Sequence, residues 1–211
     1  VSELNPVNYR VIPDRIEAGT FLCAGLITGG DVTITACQPD HLQEVLNKLQ
    51  QTGAQLKVEN DSIRVIAPHK IQPVNASTAV YPGFPTDMQA QWIALMSLAE
   101  GNSVVVDTIF SDRFTHVPEL VRLGANIMVK NNTAIISGTR ELTGAPVMST
   151  DLRASASLVM AALAAQGRSD VQRVYHIDRG YELIENKLQK LGADIVRRQD
   201  QEEPLPQGAQ S

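Results

Sequence analysis

The chain has 211 residues, 43% of them hydrophobic and 4% aromatic, with a formal net charge of −5, the makeup of a globular protein with one large core or two modest ones. Lys and Arg are dispersed, which argues against a nucleic-acid surface, although local arginine clusters can still hold a small anion such as phosphate. Apolar runs stop well short of the ~20 residues a bilayer-spanning helix requires, and no basic-then-apolar leader precedes a cleavage site, so a cytoplasmic address without a membrane partner is expected.

The chain opens on Val1 rather than Met, and Val1 to Pro6 reads like the middle of a linker. Residues 1–12 are expected to lead in from a missing N-terminal half. From Pro13 one pattern of about 65 to 70 residues occurs three times, over about 13–70, 80–140 and 145–198, a period too long for the short solenoid repeats. In each copy an Asp opens an apolar stretch (Asp14, Asp87, Asp151), and a second Asp follows 26, 25 and 27 residues later (Asp40, Asp112, Asp178). A Gly-Ala pair then closes each copy's second stretch, at Gly53-Ala54, Gly124-Ala125 and Gly192-Ala193.

In the first copy Gly29-Gly30 reads as a turn between helix and strand, and Leu56 to Val58 and Ile63 to Ile66 flank a hairpin turn at Asn60-Asp61. In the second, Asp87 to Glu100 has the spacing of an amphipathic helix ended by Gly101-Asn102, and Val104 to Val106 reads as a buried strand. Asp112 then opens a helix through Val117, Leu120, Val121 and Leu123 with Gly124 as its stop, and Asn131-Asn132 turns a second hairpin. In the third copy Ile195-Val196 runs straight into a polar stretch, so 199–211 is expected to be a disordered tail and one return strand is missing. An unpaired edge invites aggregation, and the partner strand is expected from chain absent here or from another subunit. The expected fold is α/β: three helix-strand-helix-hairpin units about a pseudo-threefold axis, an inside-out α/β barrel with helices within and sheets outside.

Asp is a favoured helix N-cap, and capping accounts for Asp14, Asp40, Asp112 and Asp178. Chemistry is sought where the copies differ. The approach to the second is Pro82-Gly83-Phe84-Pro85-Thr86-Asp87, a rigid bend with an exposed aromatic; the third has Ser149-Thr150-Asp151-Leu152-Arg153. The second Asp is followed by Arg113 and Arg179, but by His41 in the first copy. A cation at a helix N-terminus opposes the dipole and makes sense beside a bound anion. Arg113, Arg153 and Arg179 with Asp87 and Asp151 thus form a candidate anion-plus-base site, since Arg keeps its charge and grips phosphate or carboxylate bidentately. A surface of weak Asp–Arg ion pairs fits the same spacing equally well. Cys23 and Cys37 read as buried apolar residues, Trp92 as core, and His69, His116 and His176 lack metal-ligand spacing. No glycine-rich phosphate loop is present.

Several of these segments together are specific. Pro13 to Thr20, Phe84 to Gln91, Asp112-Arg113-Phe114, Thr150 to Ser155 and Tyr175 to Glu182 closely resemble the second half of the bacterial UDP-N-acetylglucosamine enolpyruvyl transferases, over about Pro13 to Arg198. The resemblance implies a two-domain protein, each domain three inside-out repeats, with substrates in the cleft between. It implies transfer of enolpyruvate from phosphoenolpyruvate to the 3-hydroxyl of UDP-N-acetylglucosamine with release of phosphate, the first committed step of peptidoglycan synthesis, without a metal or redox cofactor. Asp87 matches the family's base, Asp151 a second carboxylate near the reacting carbons, and Arg113, Arg153 and Arg179 a positive wall, Arg179 touching phosphoenolpyruvate. Phe84, Pro85, Thr86, Ile109 and Phe110 match the stretch lining the UDP-sugar site; Ser111 stands where an acidic residue is expected. The family's mobile loop with its Cys or Asp acid and its Lys-Asn pair belong to the first half, whose N-terminal segment also crosses back to complete the second domain. This chain alone is therefore expected to be inactive and to need the N-terminal half as partner. A 3-phosphoshikimate enolpyruvyl transferase and a non-catalytic UDP-sugar-binding module are the alternatives.

Overall fold

The computed structural model describes residues 5–198; the expected tail at 199–211 and the first four residues of the expected linker lie outside the described residues. Residues 5–12 form no helix or strand and are exposed.

Each repeat begins with a helix that is apolar nearly all round. These are α1 (Arg15–Ile27), α3 (Gln89–Met96) and α5 (Leu152–Ala164). They are rich in small residues, including Ala18, Gly19, Ala24 and Gly25 in α1 and Ala154 to Ser157 in α5, which allow their backbones to approach closely. The three pack on one another at the centre. All eight residues of α3 are buried, which corrects the amphipathic reading of Asp87 to Glu100. A helix enclosed by two other helices and a sheet has no wet face to keep polar.

The amphipathic helices are the second of each repeat: α2 (Gln43–Gln51), α4 (Val117–Arg122) and α6 (Ile184–Lys190), each burying a narrow stripe such as Val45, Leu46 and Leu49. Gly53, Gly124 and Gly192 follow them at φ of 91°, 94° and 95°, a left-handed region that a side chain would strain. Beyond Gly124 and Gly192, the N–H groups of Ala125 and Ala193 donate back to the Leu120 and Leu188 carbonyls at 3.0 and 3.1 Å. The recurrent Gly-Ala pair is this helix-closing motif.

The strands lie outside the helices. Strands β1 (Asp31–Thr35), β2 (Gln55–Val58) and β3 (Ser62–Ile66) form an antiparallel sheet in the order β1-β3-β2. The second sheet is β4-β5-β7-β6, in which β4 (Ala76–Ser77) runs parallel to β5 (Asn102–Val106), and β6 (Asn126–Lys130) and β7 (Thr133–Ser137) are the expected hairpin. Among the described residues, β8 (Pro146–Met148) and β9 (Asp170–Gln172) are the strands that pair in the third repeat, in parallel. Strand β5 alternates, with Ser103 and Val105 inward and its other residues partly or fully exposed, so it is half-buried rather than buried. Among the described residues these ladders make three separate sheets. Ile195-Val196 joins no strand among the described residues, and a segment with no neighbouring strand has no ladder to enter.

Asp14 caps α1, its Oδ1 accepting the N–H groups of Ile16 and Glu17 at 2.7 and 3.2 Å. The other expected caps do not form. Asp40 sits inside a 3₁₀ turn (Pro39–Leu42), Asp112 lies in a loop ahead of α4, and Asp178 lies in a 3₁₀ turn (Val174–Arg179). In each case tight turns separate the second Asp from the α-helix, and Asp178 instead pairs with Arg197 at 2.6 Å.

Candidate active site

The inner helices present their N-terminal ends on the same side of the molecule, and the bend before α3 brings Asp87 there. Pro85 starts a 3₁₀ turn (Thr86–Met88), its fixed φ holding the approach rigid. Asp87 makes no cap bond. Its carboxylate is shared by two arginines, with Arg113 Nη2 at 2.8 Å from Oδ1 and Arg153 Nη2 at 3.0 Å from Oδ2. Arg113 comes from the loop between β5 and α4, and Arg153 from the first turn of α5, so one carboxylate joins the second and third repeats. Partial burial opposes ionisation of Asp87, but the charges and hydrogen bonds of Arg153 and Arg113 outweigh it and hold its pKa below the usual carboxylate value.

A second carboxylate stands behind the first. Asp107, just beyond β5, is 1% exposed. Its Oδ1 accepts from the Thr78 hydroxyl at 2.8 Å and from the N–H groups of Ile109 and Phe110 at 3.0 and 3.1 Å, and its Oδ2 accepts from the Thr86 hydroxyl at 2.7 Å. Arg113 Nη1 donates to the same Thr86 oxygen at 3.1 Å. On the inner side, the buried Tyr181 hydroxyl lies 2.8 Å from Thr20 Oγ1, and Gln91 Nε2 donates to that Thr20 at 3.0 Å. Burial works against the charge of Arg153, while Tyr181 and Asp87 more than offset it, raising its pKa above the ordinary value. Arg153 Nη1 is nonetheless buried without a hydrogen-bond partner among the described residues.

Asp151 is the N-cap of α5, its Oδ1 accepting from the N–H groups of Arg153 and Ala154 at 2.8 and 2.9 Å. Its other oxygen, Oδ2, lies 3.5 Å from the Thr115 hydroxyl. Arg179 is exposed at the end of its 3₁₀ turn and has no ion-pair partner among the described residues. Its neighbour Gly180 packs so close to Leu152 that a Cβ there would lie 3.0 Å from the Leu152 side chain. The structure therefore brings Thr86, Asp87, Arg113 and Arg153 into one contact group, sets Asp151 beside Arg153 along the backbone, and leaves Arg179 outside direct contact.

An open cavity of about 460 Å³ adjoins Asp87, lined among others by Arg15, His41, Tyr81, Pro85, Thr86 and Ile109. Ile109 and Phe110 are exposed, and the Arg113 guanidinium lies 5.4 Å from the centre of the Phe110 ring. Phe84 corrects the expected exposed aromatic. It is 1% exposed and meets Trp92 edge-on at 5.5 Å between ring centres, so its side chain is core. The exposed aromatic of the bend is Tyr81, with the Arg15 guanidinium 5.0 Å from its ring centre. Sequence reasoning missed Asp107 and Tyr181. An Asp ending an apolar strand run was a visible signal for the first, whereas its threonine partners are scattered along the chain.

Cys23 and Cys37 are buried free thiols. His116 is buried, and burial pushes its pKa down to about 4, Asp151 opposing this and Arg113 reinforcing it. Among the described residues no cluster of three or more His, Cys, Asp or Glu is placed to hold a metal ion, and no helix is long and apolar enough to cross a membrane.

Known proteins resemble this chain in sequence and in fold. The UDP-N-acetylglucosamine 1-carboxyvinyltransferases of Geotalea uraniireducens (strain Rf4) and Trichlorobacter lovleyi are 55% and 56% identical over 200 and 197 residues, covering 95% and 93% of this chain. The chain spans about half the length of these relatives, 48% and 47%. Among solved structures, the enolpyruvyl transferase NikO from Streptomyces tendae superposes with a TM-score of 0.78 at 32% identity, over 87% of this chain and 44% of that one. An EPSP synthase from Acinetobacter baumannii, at 20% identity and a TM-score of 0.68 over 83% of this chain and 45% of that one, shares the fold. The sequence pattern of the family described as EPSP synthase (3-phosphoshikimate 1-carboxyvinyltransferase) matches residues 1–188, and the chain belongs to that family.

Proposed function

We propose that this chain is the C-terminal half of a UDP-N-acetylglucosamine 1-carboxyvinyltransferase, an enzyme of peptidoglycan synthesis acting in the cytoplasm. The observation that carries the reading is the Asp87 carboxylate, held between Arg113 and Arg153 beside an open cavity of about 460 Å³. Relatives above 50% identity along nearly the whole chain bear the UDP-N-acetylglucosamine name, which favours this substrate over 3-phosphoshikimate.

Asp87 takes the proton of the sugar 3-hydroxyl as that oxygen bonds to C2 of phosphoenolpyruvate, and an acid protonates C3. Loss of a C3 proton with cleavage of the C2–O bond then expels phosphate and restores the double bond. Arg113, Arg153 and Arg179 balance the donor's phosphate and carboxylate, a role suited to fixed cations in a partly dry site; the unpartnered Nη1 of Arg153 has hydrogen-bonding capacity to spare. Asp151 keeps Arg153 oriented through the α5 cap and lies near the reacting carbons. Pro85, Thr86, Ile109, Phe110 and the backbone of Phe84 line the sugar-nucleotide side.

The acid comes from the N-terminal half. Residues 13–198 are one domain of three repeats, 1–12 its linker and 199–211 a tail; the partner half's crossing segment supplies the strand missing from the third repeat and completes the inside-out barrel. The test is phosphate release from phosphoenolpyruvate and UDP-N-acetylglucosamine by this chain alone and mixed with a separately produced N-terminal half. Release by the mixture only is expected. A folded mixture that releases none would leave the chain a UDP-sugar-binding module, and release that requires shikimate 3-phosphate would shift the substrate.

A further inference from the structure

The Asp107 carboxylate lies one hydrogen bond behind the site and contacts nothing that would react. Two segments carrying proposed site residues converge on it: Thr86 from the bend before α3, and Ile109 with Phe110 from the loop after β5. Its own backbone is pinned, the N–H donating to the Asn132 carbonyl at 2.8 Å and its carbonyl accepting from Asn132 Nδ2 at 3.1 Å. Thr78 is pinned too, donating to Asp107 while accepting the Thr108 N–H at 2.9 Å.

We infer that Asp107 is a positioning residue that fixes the direction of a hydrogen-bond chain running through Thr86 and Arg113 to Asp87. An ionised carboxylate only accepts, so the Thr86 hydroxyl must spend its single proton on Asp107. Thr86 then faces Arg113 with lone pairs alone, and a guanidinium only donates. Asp107 thus draws the Thr86 proton away from Arg113 and leaves the Thr86 lone pairs to anchor the guanidinium that holds Asp87. Asp107 also holds the 109–110 loop by its other oxygen, so one side chain sets both the arginine and the apolar wall.

An amide at this position separates the two duties. In Asp107→Asn the amide oxygen can still accept from Thr78, Ile109 and Phe110, while its NH₂ faces Thr86 and donates. The Thr86 proton then points at Arg113, donor meets donor, and the guanidinium loses one of its two anchors.

The inference rests on the reading of Asp87 as the base, and the test separates the two. In full-length protein, turnover and its pH profile are measured for wild type, Asp107→Asn, Thr86→Val and the double variant. The expected result is a fall in kcat/KM on the order of 10- to 100-fold for each single variant, with the double no worse than the poorer single because both break one chain. With Arg113 less firmly held, Asp87 is a stronger base, so the acidic limb of the profile moves to higher pH; Asp31→Asn, on an outer sheet, leaves it in place. Thr86→Val keeps the test alive if Asp107→Asn fails to fold. Independent, multiplying losses or an unmoved acidic limb would overturn the positioning role. If wild type proves inactive in this reaction the functional reading falls, while ¹³C NMR titration of the Asp87 carboxyl still decides: a higher midpoint in the variants supports the chain, and an unchanged one refutes it.

Discussion

Asp87 and Asp151 stand at equivalent places in their repeats and do different things. Asp151 accepts two backbone N–H groups and holds α5 in place, as Asp14 does for α1. Asp87 lies inside a 3₁₀ turn, makes no cap bond, and takes two guanidinium partners instead. Asp87→Asn keeps the shape of the side chain and removes its basicity, so in the full-length enzyme turnover should fall by about 10²- to 10⁴-fold with an unchanged circular dichroism spectrum. Near-normal turnover would remove Asp87 from the role of base. Arg179, exposed and without an ion-pair partner among the described residues, has its charge available to an incoming anion. Arg179→Ala should raise the KM for phosphoenolpyruvate more than that for the UDP-sugar, and equal increases would contradict the assignment.

The elements owe their positions to small residues as much as to large ones. Where β7 ends, a Cβ built on Gly138 would lie 1.7 Å from the Ala99 carbonyl oxygen, a backbone atom with no room to retreat. Gly138→Ala should therefore cost more than about 3 kcal/mol. Gly29 is the contrast: its φ is +72° but nothing lies within 4 Å of an added Cβ, so Gly29→Ala should cost only about 1 to 2 kcal/mol. Urea unfolding of both variants checks the ranking, and equal losses would mean that crowding at Gly138 is relieved by movement. The same scale explains which elements were legible in the chain. Both hairpins, with turns at Asn60-Asp61 and Asn131-Asn132, follow from alternation and turn chemistry, which are local. The buried character of α3 was not legible, because Gln89 and Gln91 among its residues imitate a wet face until both are found in the interior, where Gln91 Nε2 donates to Thr20.

For the molecule as a whole, acid should loosen the fold in two stages. His116 is held neutral, its pKa falling from 6.5 when exposed to about 4 by burial. The unfolded chain therefore binds the proton first, and stability falls as pH drops from about 6.5 towards 4, by about 3 kcal/mol in all. Asp87, whose pKa is held below the value of 3.8, adds stability that is present above that value and is lost only as pH falls further. The urea midpoint measured from pH 7 to 4 should show the first decline, and His116→Gln should flatten it; an unchanged slope would place the titrating group elsewhere.

The sequence by itself determined the three repeats, their helix stops, the two hairpins and the residue types of an arginine-flanked carboxylate, because each is written in spacing or in turn chemistry along the chain. Its two readings of the Asp–Arg set, a designed site or scattered surface ion pairs, could not be separated by spacing alone. Only the tertiary structure decided that Arg113 and Arg153 converge on Asp87, that Phe84 belongs to the core and that Asp107 stands behind Thr86. These contacts join residues 20 to 70 positions apart, such as Asp107 with Thr86 and Arg153 with Asp87, and the packing of three inner helices, rather than any local preference, sets which of them meet.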